Sequence, residues 1–357
     1  MKISGKATLA QLNSFDEIID VRTPAEYAED HIPGAINCPV LSNEERIEIG
    51  TINRQVSAFA ARRHGASLIS ARISAQLTTC FSLKPNNWRP LVYCWRGGNR
   101  SGAMTHVLNQ IGWRACQLDG GYKSYRKHVL NELNRLPEMF SFRILCGATG
   151  TGKSQLLNTL EKRGLQVINL EKIANHRGSV LGGFPNILQP SQKWFETLLW
   201  HALSHLDPRK CVYIESESRK IGQLQLPQKL IETMWNSQCI HIDAPMDARV
   251  ELLMKDYSHL IREPDLLRQS LNRLFVLYGH EKINYWMKLI DAKNFKLLVN
   301  ELINIHYDPA YKRTLAHNYF RLKDAFKLTA EGLDPKHFEH IADFITSLPE
   351  NERIMHA

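Results

Sequence analysis

The octet Gly147-Ala148-Thr149-Gly150-Thr151-Gly152-Lys153-Ser154 narrows what this chain can fold into more than any other feature. It satisfies G-x-x-x-x-G-K-[ST], follows the apolar run Phe-Arg-Ile-Leu-Cys (142–146) and precedes QLLNTLEKRG, which has helical spacing. A strand that turns sharply into a helix through glycines points successive backbone N–H groups at one spot, and that spot binds phosphate. Gly147, Thr149, Gly150, Thr151, Gly152, Lys153 and Ser154 are therefore expected to cradle a diphosphate. Lys153 would neutralise its terminal charge, and the Ser154 hydroxyl is placed to ligate Mg2+. For an acidic partner on a second strand, Glu215 after Val212-Tyr213-Ile214 is the first candidate and Asp243 after Ile240-His241-Ile242 the second. Such a loop specifies a bound diphosphate rather than ATP hydrolysis, because any reaction in which diphosphate leaves carbon gains from the same cradle.

A second glycine-rich loop holds a cysteine. Leu91 to Cys94 reads as a buried strand and Gly102 to Ile111 as a helix, with Trp95-Arg96-Gly97-Gly98-Asn99-Arg100-Ser101 between them. The turn again forms an anion-binding cup. Arg96, Gly97, Gly98, Asn99 and Arg100 would line it, and its N–H groups, helix N-terminus and guanidinium groups favour a nucleophilic thiolate at Cys94. The competing reading is a strand-end cysteine beside surface arginines. The other six cysteines form no C-x-x-C pair, so neither a disulfide framework nor a zinc knuckle is suggested.

Short strands alternate with helices along most of the chain, which argues for parallel α/β sheets. Strands are expected at 17–21, 35–40, 91–94, 142–146, 165–170, 211–215 and 239–242, and helices at 44–65, 102–111, 192–206 and 227–235. A proline near 137 and the strand restarting at Phe142 place a boundary, giving domains of 1–135, 136–245 and a mainly helical extension, 246–357, packed on the second domain. The residues from Met1 to Leu12 lack an apolar core or cleavage pattern, and no later run is long enough to span a bilayer, so a cytoplasmic protein is expected. Between Arg46 and Arg135 there are fourteen Arg or Lys against three acids, a field that attracts a polyanion or is merely a solvated surface.

The segment IIDVRTPAEYAEDHIPGAINCPV (18–40), the Cys94 loop and Gly120-Gly121-Tyr122 resemble the rhodanese family. That likeness implies a cysteine carrying terminal sulfur or selenium, with Asp20 and Arg22 structural. Simple sulfurtransferases more often have one residue fewer than the five between Cys94 and Arg100. The longer loop suits a phosphate-sized oxyanion and also matches dual-specificity cysteine phosphatases of rhodanese fold.

A rhodanese-like domain followed by a P-loop NTPase-like α/β domain resembles the tRNA 2-selenouridine synthases. So do Leu170-Glu171-Lys172-Ile173-Ala174-Asn175-His176-Arg177-Gly178-Ser179, Gln189 to Gln192, Glu215 to Gly222 and His306 to Tyr311. Asn169 and Leu181 depart from that pattern, standing where an acid and an aromatic are usual. The resemblance implies an enzyme, a transferase working on the tRNA anticodon arm. It would convert wobble 2-thiouridine first to S-geranyl-2-thiouridine with geranyl diphosphate, then to 2-selenouridine with selenium derived from selenophosphate and carried on Cys94. No tightly bound cofactor and no obligate protein partner are expected, and Mg2+ is a candidate ion at Ser154. Glu171, His176, Arg177, Glu215, Glu217 and Arg219 are candidate substrate or metal contacts, or ordinary caps and ion pairs. Arg62, Arg63, Arg89 and Lys123 would guide the RNA. Trp88, Trp95, Trp113 and Tyr122 could stack on its bases, although core packing is the commoner fate of tryptophan. Two other readings are an ATP-dependent tRNA sulfurtransferase using a Cys94 persulfide, and a nucleotide-switch module with an inactive rhodanese fold. The intact Cys94 counts against the latter.

Overall fold

The structure is a computed structural model that describes residues 5–179, 181–184 and 187–349. Residues 1–4 and 350–357, at the ends of the outer two expected domains, lie outside the described residues. The chain divides into two compact units: Met1–Glu132 with Glu196–His201, and Leu133–Phe195 with Ala202–Ala357.

The first unit is built on a parallel five-stranded sheet in the order β1-β5-β4-β2-β3. Its strands are β1 (Lys6–Ala7), β2 (Glu17–Asp20), β3 (Ile36–Asn37), β4 (Pro90–Tyr93) and β5 (Cys116–Leu118). All four residues of β4 are buried, as a central parallel strand covered on both faces requires. The helices are α1 (Pro24–Glu29), α2 (Asn43–Gln55), α3 (Ala58–Thr79), α4 (Asn99–Ile111) and α5 (Gly121–Arg135). Local chemistry starts two of them: Thr23 and Glu26 close a capping box ahead of Pro24, and Ser42 and Glu45 close another at α2.

The single helix expected over 44–65 is two. Ser57 accepts the Ala60 N–H as the N-cap of α3, so the chain stops at Val56 and restarts, and helical periodicity carried across the break hid it. Trp88 and Tyr122 are 3% exposed, so they pack inside the protein and cannot stack on bases. Trp88 packs edge-on to Trp113, and the Tyr122 ring lies under the Arg22 guanidinium, 4.0 Å away. Arg22 is itself buried against Asp20 at 2.6 Å.

The second unit holds a parallel sheet in the order β12-β11-β6-β8-β7. From the N-terminal side come β6 (Phe142–Cys146), α6 (Lys153–Lys162), β7 (Gln166–Ile168), α7 (Leu170–Ala174), α8 (Gln192–Ser204, of which Glu196–His201 counts with the first unit) and β8 (Val212–Glu215). A small antiparallel pair, β9 (Lys220–Ile221) and β10 (Leu224–Gln225), precedes α9 (Gln228–Trp235) and β11 (Gln238–Asp243). Helices α10 (Met246–Asp256), α11 (Ser258–Arg262), α12 (Pro264–Asn272), α13 (Phe275–Asp291) and α14 (Phe295–Leu302) follow, the last four gathered around Leu260, Leu271 and Trp286 and α10 packed through Val250 and Leu253 against Ile303. A turn of π-helix, Ile303–Tyr307, leads into α15 (Asp308–Asn318).

The last stretch is more than a helical cover. Strand β12 (Phe326–Thr329) pairs parallel with β11, with Ile240 opposite Phe326, and forms an edge of the sheet. Helix α16 (Pro335–Ser347) then buries Phe338, Ile341, Ala342 and Ile345 in the same core as Leu156, Leu157 and Leu160 of α6. No helix among the described residues is long and apolar enough to cross a membrane.

Candidate active site

Cys94 directly follows β4, and its sulfur accepts hydrogen bonds from the Gly98 N–H at 3.3 Å and the Ser101 hydroxyl at 3.1 Å. Gln117 donates to the Ser101 oxygen at 2.7 Å, and the serine hydroxyl has the Cys94 sulfur at 3.1 Å and the Gly98 carbonyl at 3.4 Å as acceptors. Two donors converging on one sulfur suit a negatively charged thiolate or a chalcogen chain ending there. Gly121 supports the loop from beneath: at φ +57° it brings its backbone so close that an added Cβ would lie 2.3 Å from the Cys94 carbonyl oxygen.

Cys94 opens on a cavity of about 780 Å3 whose walls include Trp95, Arg96, Asn99 and Arg100 from the loop, Arg46 from α2 and Arg62 from α3. Arg100 shares its charge with Glu26 through contacts of 2.6 and 3.2 Å. Arg89 pairs with Asp16 and is not among the residues that form this cavity, nor are Arg63 and Lys123.

The phosphate loop joins β6 to α6 with Gly150 and Gly152 at φ +84° and +77°, which only glycine adopts without strain. Three distant residues hold it. Arg249 donates to the Thr149 carbonyl at 2.8 and 2.9 Å while bound to Asp308 at 2.6 and 3.0 Å. Tyr311 accepts the Gly147 N–H at 2.6 Å. Lys153 Nζ donates to the Gly147 carbonyl at 2.6 Å and sits 5.4 Å from the Tyr311 ring.

Thr149, Gly150, Gly152 and Tyr311 face a cavity of about 730 Å3 that Lys153, Ser154, Glu171, Arg177 and Glu217 also line. Ser154 donates to a Glu171 carboxylate oxygen. The Glu171 N–H in turn donates to Glu215 Oε1 at 2.9 Å. Glu215 is fully buried, its Oε2 has no hydrogen-bond partner among the described residues, and burial together with the Glu171 charge pushes its carboxyl well above the usual range. Burial, with the Glu171 charge adding, likewise pushes Glu217 up to about 8. Arg177 lies over the rings of Phe184 and Tyr257, at 4.6 and 4.9 Å, and one of its terminal nitrogens has no hydrogen-bond partner among the described residues. Adjoining this cavity is a narrow apolar recess lined by Leu181, Met254, Leu260, Leu267, Leu298 and Ile303. Thr149, Ser179, Leu253, Tyr257 and Tyr307 belong to both walls.

Comparison with known proteins decides the relationship. The profile of the tRNA 2-selenouridine synthase AAA domain matches residues 140–275, and that of the rhodanese-like domain matches residues 6–128. The chain is 34% identical to the tRNA 2-selenouridine synthase of Shewanella halifaxensis, over 81% of this chain and 80% of that one. It is 32% identical to the Shewanella sediminis protein of the same name, over 89% and 93%. The Nitrosomonas europaea protein of that name is 28% identical over 88% and 93%. The chain belongs to the tRNA 2-selenouridine synthase family.

In this family member the expected site residues fall into two groups. Gly147 to Ser154, Glu171, Arg177, Glu215 and Glu217 come together around the phosphate loop. His176 and Arg219 do not line that cavity. His176 accepts the Gly178 N–H at 3.1 Å as a turn cap, and burial lowers its pKa, while Arg219 lies 4.9 Å from the Trp235 ring. Asn169, one of the two departures from the family pattern, caps α7 by accepting the Lys172 N–H at 2.8 Å. Leu181, the other, lines the recess. Sequence reasoning passed over Gln117 and Arg249, and it named Arg46 and Ser101 only as ends of the basic stretch and of the cysteine loop. It quoted Asp308 and Tyr311 only as part of a pattern, and Asp308-Pro309-Ala310-Tyr311 was the one signal that could have led to them.

Proposed function

We propose that this protein is a tRNA 2-selenouridine synthase that uses the phosphate-loop cavity for geranyl transfer and Cys94 for selenium delivery to the same wobble base. The observation that carries the prenyl half is the apolar recess sharing five residues with the diphosphate cavity. A nucleotide would place a ribose and a base beside its phosphates and need polar partners for both, whereas an aliphatic wall suits an isoprenoid tail. At about 50 Å3 the recess is smaller than the whole geranyl chain, so side chains such as Leu181 and Met254 must shift as the tail enters.

In this reading the loop N–H groups, Lys153 and Arg177 stabilise the departing diphosphate, and the allylic carbon is taken by the thiocarbonyl sulfur of 2-thiouridine. Alkylation turns that sulfur into a better leaving group. Cys94 then presents selenium derived from selenophosphate, an anion that the Arg46, Arg62 and Arg96 cavity would attract. The residues around the loop fit a magnesium ion in part. No group of three His, Cys, Asp or Glu able to hold a metal occurs among the described residues. Ser154 and Glu171 would supply two oxygens, and diphosphate and water the rest, as Mg2+ accepts. That ion would neutralise charge on the leaving diphosphate. A tRNA substrate places the reaction in the cytoplasm.

The test supplies 2-thiouridine tRNA with labelled geranyl diphosphate or with ATP. Label in the nucleoside only from the prenyl donor supports the reading. ATP consumed in step with product, with geranyl diphosphate ignored, overturns it in favour of the sulfurtransferase.

A further inference from the structure

Alkylation of a 2-thiouracil sulfur creates a proton that must go somewhere. The starting base carries hydrogen on N3; the neutral S-alkyl product has a C2–N3 double bond and none. A site that performs this step well needs a base beside the leaving diphosphate, in a place water does not freely reach.

Three glutamates stand near Lys153, and the hydrogen bonds sort them. Glu171 is engaged by Ser154, and Glu215 is sealed inside, holding the Glu171 N–H. Glu217 is half-buried and lines the cavity, and among the described residues its carboxylate is met by the backbone N–H of its neighbour Ser218 but by no side-chain donor. Its position is imposed by the backbone. The Tyr319 hydroxyl accepts the Glu217 N–H at 3.0 Å and donates to the Glu217 carbonyl at 3.0 Å, which fixes the residue on both sides. Opposite the carboxylate is Gly178, where an added Cβ would lie 3.0 and 3.1 Å from the two glutamate oxygens. The space around this side chain is thus kept open by a glycine.

We infer that Glu217 is the catalytic base of the prenyl-transfer step, taking the N3 proton of 2-thiouridine as its sulfur is alkylated. This rests on the geranyl reading above. As the sulfur–carbon bond forms, the carbon–oxygen bond breaks and its electron pair leaves on diphosphate. The N3–H pair becomes the C2–N3 double bond, and the proton passes to Glu217. Charge balances without any further reagent. The groups facing the carboxylate are Glu171, Glu215, Lys153, Tyr311, Tyr319 and the Ser218 backbone N–H; burial and then the Glu171 charge raise its proton affinity, and Lys153 and the Ser218 N–H oppose them.

The experiment compares wild type, Glu217→Gln and Glu217→Asp in single-turnover geranyl transfer from pH 6 to 9, alongside binding of inorganic pyrophosphate. In the wild type the rate should rise with pH through the titration of this group. Glu217→Gln should lose about 100-fold or more in rate and that pH dependence, keep pyrophosphate affinity within about twofold, and regain part of the rate as Glu217→Asp. A Gln variant that keeps the wild-type rate and profile, or one whose rate and pyrophosphate binding fall together, overturns the assignment while leaving geranyl transfer standing. A wild type that makes no geranylated nucleoside overturns the function itself.

Discussion

The phenol of Tyr311 accepts the amide hydrogen of Gly147 at 2.6 Å, 164 residues away in sequence. The same hydroxyl meets Ser216, one residue beyond Glu215, at 3.0 Å. One side chain from α15 thereby ties the first glycine of the phosphate loop to the end of β8, so the loop's shape depends on a helix laid down long after it.

Tyr311→Phe should leave the Gly147 N–H buried without its partner. A loss of about 1–3 kcal/mol in unfolding free energy, read by urea denaturation, is expected with weaker pyrophosphate binding. Unchanged binding would show that the loop holds its shape without the phenol.

Asp308→Ala should strand the Arg249 guanidinium, 5% exposed, against the Thr149 carbonyl. Breaking a buried pair from one side costs about 3 kcal/mol or more. Replacing both partners together should cost less than the sum of the single changes, and full additivity in that double-mutant cycle would contradict a coupled pair.

The raised Glu217 carboxyl gives a stability profile with a defined sign. Its folded pKa of about 8 exceeds the ordinary 4.5, so the folded state holds the extra proton and stability falls as pH rises from about 5 to 8. Thermal melting should drop over that window in the wild type and fall less steeply in Glu217→Gln, which carries no charge to be penalised. Parallel melting curves for the two proteins would count against the burial and repulsion described above.

Ser101→Ala removes one of the two donors that reach the Cys94 sulfur. Alkylation of Cys94 by iodoacetamide at neutral pH should slow several-fold, read by peptide mass analysis, with the fold intact because Gly98 remains in place. An unchanged rate would mean that the serine only fills space.

Both loops were legible because each is written in consecutive residues. Cys94 to Ser101 and Gly147 to Ser154 carry strand, glycines and helix start within a dozen positions, and local sterics allow few other shapes. What escaped the sequence was non-local or short. Strand β12 has four residues with alternating burial and gains its identity only from pairing with β11. Strand β1 has two residues. Arg249 looked like any surface cation on an amphipathic helix, since its partners Thr149 and Asp308 lie 100 and 59 positions away. The break between α2 and α3 was visible in principle at Ser57, a good N-cap, but apolar spacing continued past it.

The central claim is that two sites in one chain act in turn on one nucleobase, and nucleoside mass analysis tests it most directly. 2-Thiouridine tRNA is incubated with geranyl diphosphate and selenophosphate, using Cys94→Ala and Lys153→Ala proteins. Cys94→Ala should accumulate S-geranyl-2-thiouridine and stop there, and Lys153→Ala should leave 2-thiouridine unchanged. Equal loss of both products in both variants would contradict the division of labour.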